Sequence, residues 1–224
     1  MCIEKYWNSS IGKKQIVAVT GLLLILFVIG HLAGNLILYL GPEAYNDYAK
    51  KLASLHPFLY FIEFGLAAIF VIHMYVTALL VWENFQARGK GYSVYKPVGE
   101  RSLAARLMPY TGTFIFIFVV WHLVDFTFAD HQGPLSVVRG ENLGLYGLVY
   151  NAFSDPWHSL FYILAMVCLG LHLTHGIQSF FQTYGWSNER NSLYINKLSN
   201  ALGFLVAFGY STIPVYVLLS NAHF

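Results

Sequence analysis

The sequence is poor in charge and in cysteine. Of its 224 residues 11% are charged and 57% are hydrophobic, whereas soluble domains carry about 25% charged residues. Its two cysteines, Cys2 and Cys168, are far apart, and no Cys-x-x-Cys pair or glycine-rich nucleotide fingerprint is present. Iron–sulfur clusters, structural zinc and covalently attached haem therefore have no cysteine ligands in this chain. The scarcity of charge excludes a soluble domain and indicates an integral membrane protein.

Five apolar runs are long enough to cross a bilayer, since a spanning helix needs about 20 apolar residues. We expect these helices at about 16–40, 58–86, 107–129, 157–183 and 198–219. Pro109 is expected in the first turn of the third helix, and Pro214 lies inside the fifth, which it should kink unless neighbouring helices absorb it. The first run is too long for the core of a cleavable signal. The predicted fold class is all-α: a single domain, residues 1–224, forming a five-helix transmembrane bundle.

The placement of Lys and Arg predicts the orientation of the bundle. Ten of these residues fall on the side of the N-terminus: Lys5, Lys13, Lys14, Arg88, Lys90, Lys96, Arg101, Arg106, Arg190 and Lys197. Three fall on the opposite side: Lys50, Lys51 and Arg139. The N-terminus is therefore expected in the cytoplasm and the C-terminus outside. The connection 130–155 would then be external, and its length predicts that it folds over the outer mouth of the bundle.

Four of the apolar runs carry a histidine at membrane depth: His31, His73, His122 and His172. Each lies 15 residues after the start of its run, which is roughly 22 Å along a helix. Because successive helices alternate in direction, His31 and His122 fall in the outer half and His73 and His172 in the inner half. Neutral imidazole is a common axial ligand of haem iron. The depths predict two bis-histidine haem sites, and the alternative is four packing histidines bonded to neighbouring carbonyls or hydroxyls.

Glycines accompany these histidines. Gly30 and Gly34 flank His31, and Gly176 lies one turn after His172. Small residues would let the face of a porphyrin approach a helix, and we include Gly34 among the candidate cofactor-binding residues. The alternative is ordinary close packing of membrane helices, for which glycine is commonly used.

Three segments of the chain resemble one known family. They are Ser9-Ser10-Ile11-Gly12-Lys13-Lys14, His31-x-x-Gly34-Asn35-Leu36 and His172-x-x-His175-Gly176-x-x-Ser179-x-x-Gln182-Thr183-x-Gly185. The third is the most specific. Over essentially its whole length the sequence resembles the cytochrome b subunit of succinate:quinone oxidoreductases (succinate dehydrogenase and fumarate reductase), in the single-subunit, five-helix, dihaem form.

The resemblance implies two b haems. In this family the first helix pairs with the third and the second with the fourth, which assigns His31 and His122 to the outer haem iron and His73 and His172 to the inner one. The family pattern places a ligand four residues before a glycine, which favours His172. His175, three residues further on, remains a candidate contact of a haem propionate or of the quinone. Gly170 stands where some fumarate reductases carry a glutamate proposed to conduct protons, so that route is not expected here.

The resemblance also implies the partners and the task. The chain would be a multi-pass protein of the inner (cytoplasmic) membrane that anchors a flavoprotein and an iron–sulfur subunit on the cytoplasmic face. It would pass electrons between the iron–sulfur subunit and membrane quinone, expected to be menaquinone, without oxidising succinate itself. Membrane lipid and, as one option, a second copy of the complex are further partners, and no nucleic acid is expected. Two alternatives stay open: the haem b anchor of a hydrogenase or formate dehydrogenase, and a non-redox polytopic membrane protein.

Two carboxylates are candidates for protonating the quinone. Glu63 lies in the outer part of the second run, and Asp125 lies one turn beyond His122. Quinone chemistry needs a proton partner near the last haem, and a carboxylate reached by outside water can serve. The alternative is a carboxylate bonded to a neighbouring helix or to the outer haem. At the inner edge, Arg106, with Arg101, Lys13 and Lys14, could pair with haem propionates or with the docked subunit; topology and lipid contact would equally explain these charges.

Overall fold

A computed structural model describes residues 3–7, 9–87 and 103–222 of the chain. Its α-helices are α1 (Ile3–Trp7), α2 (Ser10–Asn35), α3 (Pro42–Ala53), α4 (Phe58–Ala87), α5 (Leu103–His122), α6 (Gly144–Ser154), α7 (Pro156–Thr183) and α8 (Ser192–Ala222). A 3-10 turn, Leu36–Leu40, extends α2, and a π-helical turn, Leu123–Thr127, extends α5. A 3-10 turn at Pro134–Ser136 precedes a small hairpin of β1 (Val137–Val138) and β2 (Glu141–Asn142).

Five helices are long and apolar enough to cross a membrane. They cover Ser10–Leu40, Phe58–Ala87, Ala105–Thr127, Pro156–Thr183 and Ser192–Asn221. The predicted all-α bundle of five spanning helices is confirmed. Large apolar side chains are exposed along all five, and in α4 only Val76 is buried. Such outward-facing apolar surface is what a bilayer requires of a spanning helix.

Three spanning helices, α2, α5 and α8, begin several residues earlier than their apolar runs do. α2 starts at Ser10 because the Ser9 hydroxyl accepts a hydrogen bond from the Gly12 amide at 3.0 Å, which caps the first turn. α5 starts at Leu103, so Pro109 lies inside the helix and its expected place in the first turn is wrong. Polar residues at the bilayer edge continue a helix as well as apolar ones do, so hydropathy alone misses such starts. Pro214 is buried within the continuous helix α8.

The tightest helix pair is α7 with α8. A Cβ added at Gly170 would lie 2.7 Å from the Gly203 carbonyl oxygen and 2.8 Å from Ala207 Cβ. The two backbones therefore approach as closely as small residues allow, in the manner typical of membrane helices. The missing glutamate at position 170 has a packing explanation, since a long side chain there would collide with α8. α7 also packs against α5 and α2, and α4 packs mainly against α2.

One end of the bundle, which we call the capped end, is covered by α3, the β-hairpin and α6. Tyr146, Val149 and Phe153 of α6 are buried in the same apolar cluster as α7 and α8. Asn46 of α3 ties this segment down, because its side chain donates to the Leu143 carbonyl at 2.8 Å and accepts from the Tyr146 amide at 3.1 Å. The connection predicted at 130–155 thus contains a helix and a hairpin packed over the bundle.

A buried tyrosine links this cap to α2. The Tyr45 hydroxyl bonds the Asn35 side-chain oxygen at 3.2 Å. Burial, with a smaller contribution from neighbouring Tyr48, raises the pKa of Tyr45 to about 12. The hydroxyl therefore stays neutral at physiological pH and can serve as the donor in this bond.

The other end, which we call the basic end, carries the start of α2, the end of α4, the start of α5, the end of α7 and the start of α8. Lys13 of α2 forms an ion pair with Glu83 of α4 there. This pairing occupies one of the four basic residues that are candidates for pairing with haem propionates or a docked subunit. Four of the ten basic residues used to predict the orientation, Arg88, Lys90, Lys96 and Arg101, lie outside the described residues.

Candidate functional site

The structure brings together the two histidines predicted to form the outer pair. The ring centres of His31 in α2 and His122 in α5 are 5.9 Å apart, and the ring planes are nearly perpendicular. Aromatic rings enclose them: Phe27 stacks on His31 at 5.3 Å, and Phe118 stacks on His122 at 5.8 Å. A metal bonded to both imidazoles at about 2 Å would hold the ring centres about 6 Å apart. The spacing of this pair therefore fits bis-histidine ligation.

The two histidines predicted for the inner pair are each held by a threonine of a neighbouring helix. His73 Nδ1 lies 3.0 Å from Thr20 Oγ1 of α2. His172 Nδ1 lies 3.2 Å from Thr111 Oγ1 of α5. Both threonines are buried, so water does not compete for these bonds. In each ring the remaining nitrogen, Nε2, is left for another partner.

His172 and His175 differ in their surroundings. His172 is anchored through Nδ1 by Thr111, whereas the buried Nδ1 of His175 has no hydrogen-bond partner in the part of the chain that is described. The buried Nδ1 of His122 is likewise without a partner there. Unpaired buried nitrogens are costly, so these two positions call for a group that the polypeptide alone does not supply.

The glycines near the histidines fall into two kinds. A Cβ added at Gly30 or Gly176 would meet nothing within 4 Å, so both leave room beside their histidines. A Cβ at Gly34 would lie 2.6 Å from the Tyr48 hydroxyl of α3. Close packing of α3 therefore accounts for Gly34, and the geometry gives no reason to assign it to a cofactor.

Two other predicted residues lie on the surface of the bundle. Glu63 is exposed on α4, and Arg106 is exposed near the start of α5. Neither side chain forms a hydrogen bond or ion pair with any of the residues that the structure describes. Glu63 is thus not brought into the cluster around Asp125.

Asp125 lies in the π-helical turn that directly follows His122. Its Oδ2 accepts a hydrogen bond from the Tyr162 hydroxyl at 2.6 Å. His158 Nε2 lies 3.2 Å from the same oxygen, close enough for an ion pair but without the alignment of a hydrogen bond. The side chains of Asp125 and His158 are only 19% and 18% exposed. These three groups form a partly buried acid–base cluster at the capped end.

The cluster is close to the His31–His122 pair. The Tyr162 ring centre is 6.2 Å from that of His122. An apolar groove of about 480 Å³ runs along α5, lined by Phe116, Ile117, Val120, Trp121, Val124 and Asp125 itself. An apolar molecule lying in this groove would place one end against the carboxylate.

Sequence reasoning missed four of these residues: Thr20, Thr111, Tyr162 and His158. A signal existed for each. The two threonines are polar groups inside apolar runs, and polar groups at membrane depth need partners just as histidines do. His158 and Tyr162 are four residues apart, which places them on one face of α7, and they stack at 4.8 Å.

The donor set suits haem better than a bare metal ion. No group of three or more His, Cys, Asp or Glu side chains that could hold a metal ion occurs within 3–7, 9–87 and 103–222. A haem iron needs only two axial protein ligands, because the porphyrin supplies the others. Paired imidazoles on facing helices, enclosed by aromatic rings and small residues, fit that requirement.

Comparison with known proteins agrees with the motifs. The chain is similar to the succinate dehydrogenase cytochrome b558 subunit of Bacillus subtilis (strain 168). The two are 29% identical over 175 residues, which cover 76% of this chain and 79% of that protein. No protein-family model matches the chain, and no solved structure matches it. The similarity supports the cytochrome b family of succinate:quinone oxidoreductases, and with it a haem-containing membrane anchor.

Proposed function

We propose that the chain is the dihaem cytochrome b anchor of a succinate dehydrogenase or fumarate reductase complex. His31 and His122 would hold one b haem, and His73 and His172 the other. The observation that carries the proposal is the approach of His31 and His122 to 5.9 Å across two helices. When bound, the haems would supply one-electron transfer between an iron–sulfur partner and membrane quinone.

The polypeptide would perform three tasks. Its five apolar helices anchor the complex in the inner membrane. Its basic end faces the cytoplasm, as the ten-to-three distribution of Lys and Arg indicates, and receives the iron–sulfur and flavoprotein subunits. Its four histidines, each on a different spanning helix, hold the cofactors at two depths.

The capped end would provide the quinone site. Quinone reduction takes up two protons with its two electrons, so a proton donor must lie beside the bound ring. Asp125 is suited to this role because it closes one end of the apolar groove on α5, which matches the isoprenoid tail of a quinone such as menaquinone. Tyr162 and His158, both within 3.2 Å of the carboxylate, would orient it and return its proton.

Haem content tests the proposal. Purified complex should contain two b haems per chain by pyridine haemochrome, both low-spin, as bis-histidine ligation requires. His31→Ala and His122→Ala should each lose the same haem, and His73→Ala and His172→Ala should each lose the other. One haem per chain, a high-spin spectrum, or loss of different haems within a pair would contradict the proposal.

A further inference from the structure

One sequence pattern occurs in both α2 and α5. Thr20-Gly21 precedes His31 in α2, and Thr111-Gly112 precedes His122 in α5; both are Thr-Gly-x9-His. Eleven residues are three helical turns, or about 16 Å, which returns to the same helix face. Each of these helices therefore presents a histidine of one pair and, three turns closer to the basic end, a Thr-Gly step on the same face.

The two Thr-Gly steps make equivalent contacts. The Thr20 hydroxyl lies 3.0 Å from His73 Nδ1, and a Cβ at Gly21 would lie 3.2 Å from His73 Cε1. The Thr111 hydroxyl lies 3.2 Å from His172 Nδ1, and a Cβ at Gly112 would lie 3.4 Å from His172 Cε1. In both cases the glycine lets the ring lie against the helix, and the threonine bonds its nearer nitrogen.

The direction of the hydrogen bonds follows from the backbone partners of the threonines. Thr20 Oγ1 lies 2.7 Å from the Ile16 carbonyl oxygen, and Thr111 Oγ1 lies 3.1 Å from the Leu107 carbonyl oxygen. A carbonyl can only accept, and a hydroxyl has a single proton. In each case the carbonyl is the nearer partner, at 2.7 Å against 3.0 Å for Thr20 and 3.1 Å against 3.2 Å for Thr111, which favours a hydroxyl that donates to its own helix and accepts from the imidazole. This assigns the ring proton to Nδ1 and leaves the lone pair on Nε2.

We propose that Thr20 and Thr111 are positioning residues for the inner haem site. They select the Nδ1–H tautomer of His73 and His172 and aim the Nε2 lone pairs at the iron, while Gly21 and Gly112 admit the rings. The inference rests on the proposed function. Its chemical consequence is that a hydrogen bond accepted from Nδ1–H makes the imidazole a stronger donor to the metal. The oxidised iron is then favoured, and the midpoint potential of that haem is lowered.

The test uses the purified complex and a redox titration that resolves the two haems, with electron paramagnetic resonance of the oxidised protein. Thr20→Val and Thr111→Val keep the shape of the side chain and remove the hydroxyl. Each should raise the potential and change the low-spin signal of the same haem, the one that His73→Ala eliminates, and leave the other haem unchanged. Thr20→Ser and Thr111→Ser should restore the wild-type values, because serine keeps the hydroxyl.

Thr113→Val is the matched control. Thr113 lies on the same helix as Thr111, and its hydroxyl donates to the Pro109 carbonyl at 2.9 Å. It is exposed, and it forms no hydrogen bond with a histidine among the described residues. The midpoint potentials of both haems in the Thr113→Val variant should match those of the wild type. A valine variant could also lose a haem outright. Loss of the inner haem that the serine variant restores would support the inference. Loss of the outer haem would overturn it. Two haems with unchanged potentials in both valine variants would also overturn it, whereas wild-type protein without haem would refute the proposed function itself.

Discussion

At the scale of single residues, the membrane-depth histidines are distinguished by what holds their second nitrogen. His73 and His172 bond threonine hydroxyls, while the buried Nδ1 atoms of His122 and His175 have no partner among the described residues. His122 is a proposed ligand because of its 5.9 Å approach to His31. Where two histidines of α7 compete for one site, the ring that is fixed through Nδ1 loses less freedom on binding iron, which favours it as the ligand. This difference separates His172 from its neighbour His175 more directly than their shared helix face does.

The first prediction follows from that difference. His172→Ala should lose one of the two haems, because it removes the imidazole that Thr111 holds in place. His175→Ala should keep both haems low-spin, since the ring has no such anchor. Optical spectra and pyridine haemochrome on purified complex measure the haem content and spin state of both variants. Loss of a haem in His175→Ala, with both retained in His172→Ala, would reverse the assignment.

The second prediction concerns the acid–base cluster at the capped end. Asp125→Asn keeps an oxygen for the Tyr162 hydroxyl but cannot deliver a proton, so quinone turnover should fall by about 10²-fold or more, the usual range for a lost proton-transfer group. Tyr162→Phe should slow turnover less, because it leaves the carboxylate in place. Both variants should retain two haems.

Glu63→Gln provides the matched comparison, since it makes the same carboxylate-to-amide change on an exposed side chain of α4. It should leave quinone turnover close to that of the wild type. Full activity in Asp125→Asn combined with a large loss in Glu63→Gln would move the proton donor to Glu63. A large loss in both would assign both carboxylates to the reaction.

The sequence singles out residues whose chemistry marks a position, but it does not reveal how folding orients them. Histidines in apolar runs are rare enough to be noticed one by one. Whether Asp125 or Glu63 faces the interior depends on helix rotation, which almost uniformly apolar helices do not reveal. The structure partly buries one carboxylate against Tyr162 and His158 and leaves the other exposed.

At the scale of helices, the five spans follow from hydrophobic length, but the polar ends and the cap do not. α3 and α6 are short, and the structure holds them by contacts such as those of Asn46 with Leu143 and Tyr146. Those contacts join residues about 100 positions apart in the chain, and no local pattern encodes them. The π-helical turn at Leu123–Thr127 is similarly invisible to periodicity, although such turns are frequent at functional sites.

The third prediction concerns the contact between α7 and α8. Gly170→Ala places a Cβ 2.7 Å from the Gly203 carbonyl oxygen, so the helices must separate. The expected cost is about 1–3 kcal/mol of stability, as for other overpacked sites. Gly65→Ala on α4 is the control, because its Cβ would meet nothing within 4 Å, and it should be neutral or slightly stabilising. Thermal unfolding of the purified protein compares the two, and equal stability would contradict the close approach.

At the scale of the whole molecule, the two ends of the bundle are chemically unlike. Among the residues that the structure describes, the basic end carries six Lys and Arg residues against three at the capped end. The capped end carries the Asp125 cluster and the folded cover of α3 and α6. The proposed ligand pairs lie between them, about 16 Å apart along α2 and α5 by the three turns that separate Thr20 from His31. An arrangement with partners at one end and quinone at the other moves charge across the membrane.

The fourth prediction is that turnover responds to the membrane potential. Electrons entering at the cytoplasmic, basic end and reaching quinone at the outer, capped end carry negative charge outward, while the protons for the quinone come from the outside. An inside-negative potential should therefore accelerate succinate-driven quinone reduction and slow the reverse reaction, with an upper limit of about 2.3 kcal/mol per charge per 100 mV. The structure offers no compensating proton path at position 170, because Gly170 packs against Gly203.

Proteoliposomes with an imposed potassium diffusion potential provide the measurement, and dissipating the potential with an uncoupler is the control. Turnover that is indifferent to the potential, together with a quinone analogue bound at the basic end, would place the quinone site on the cytoplasmic side.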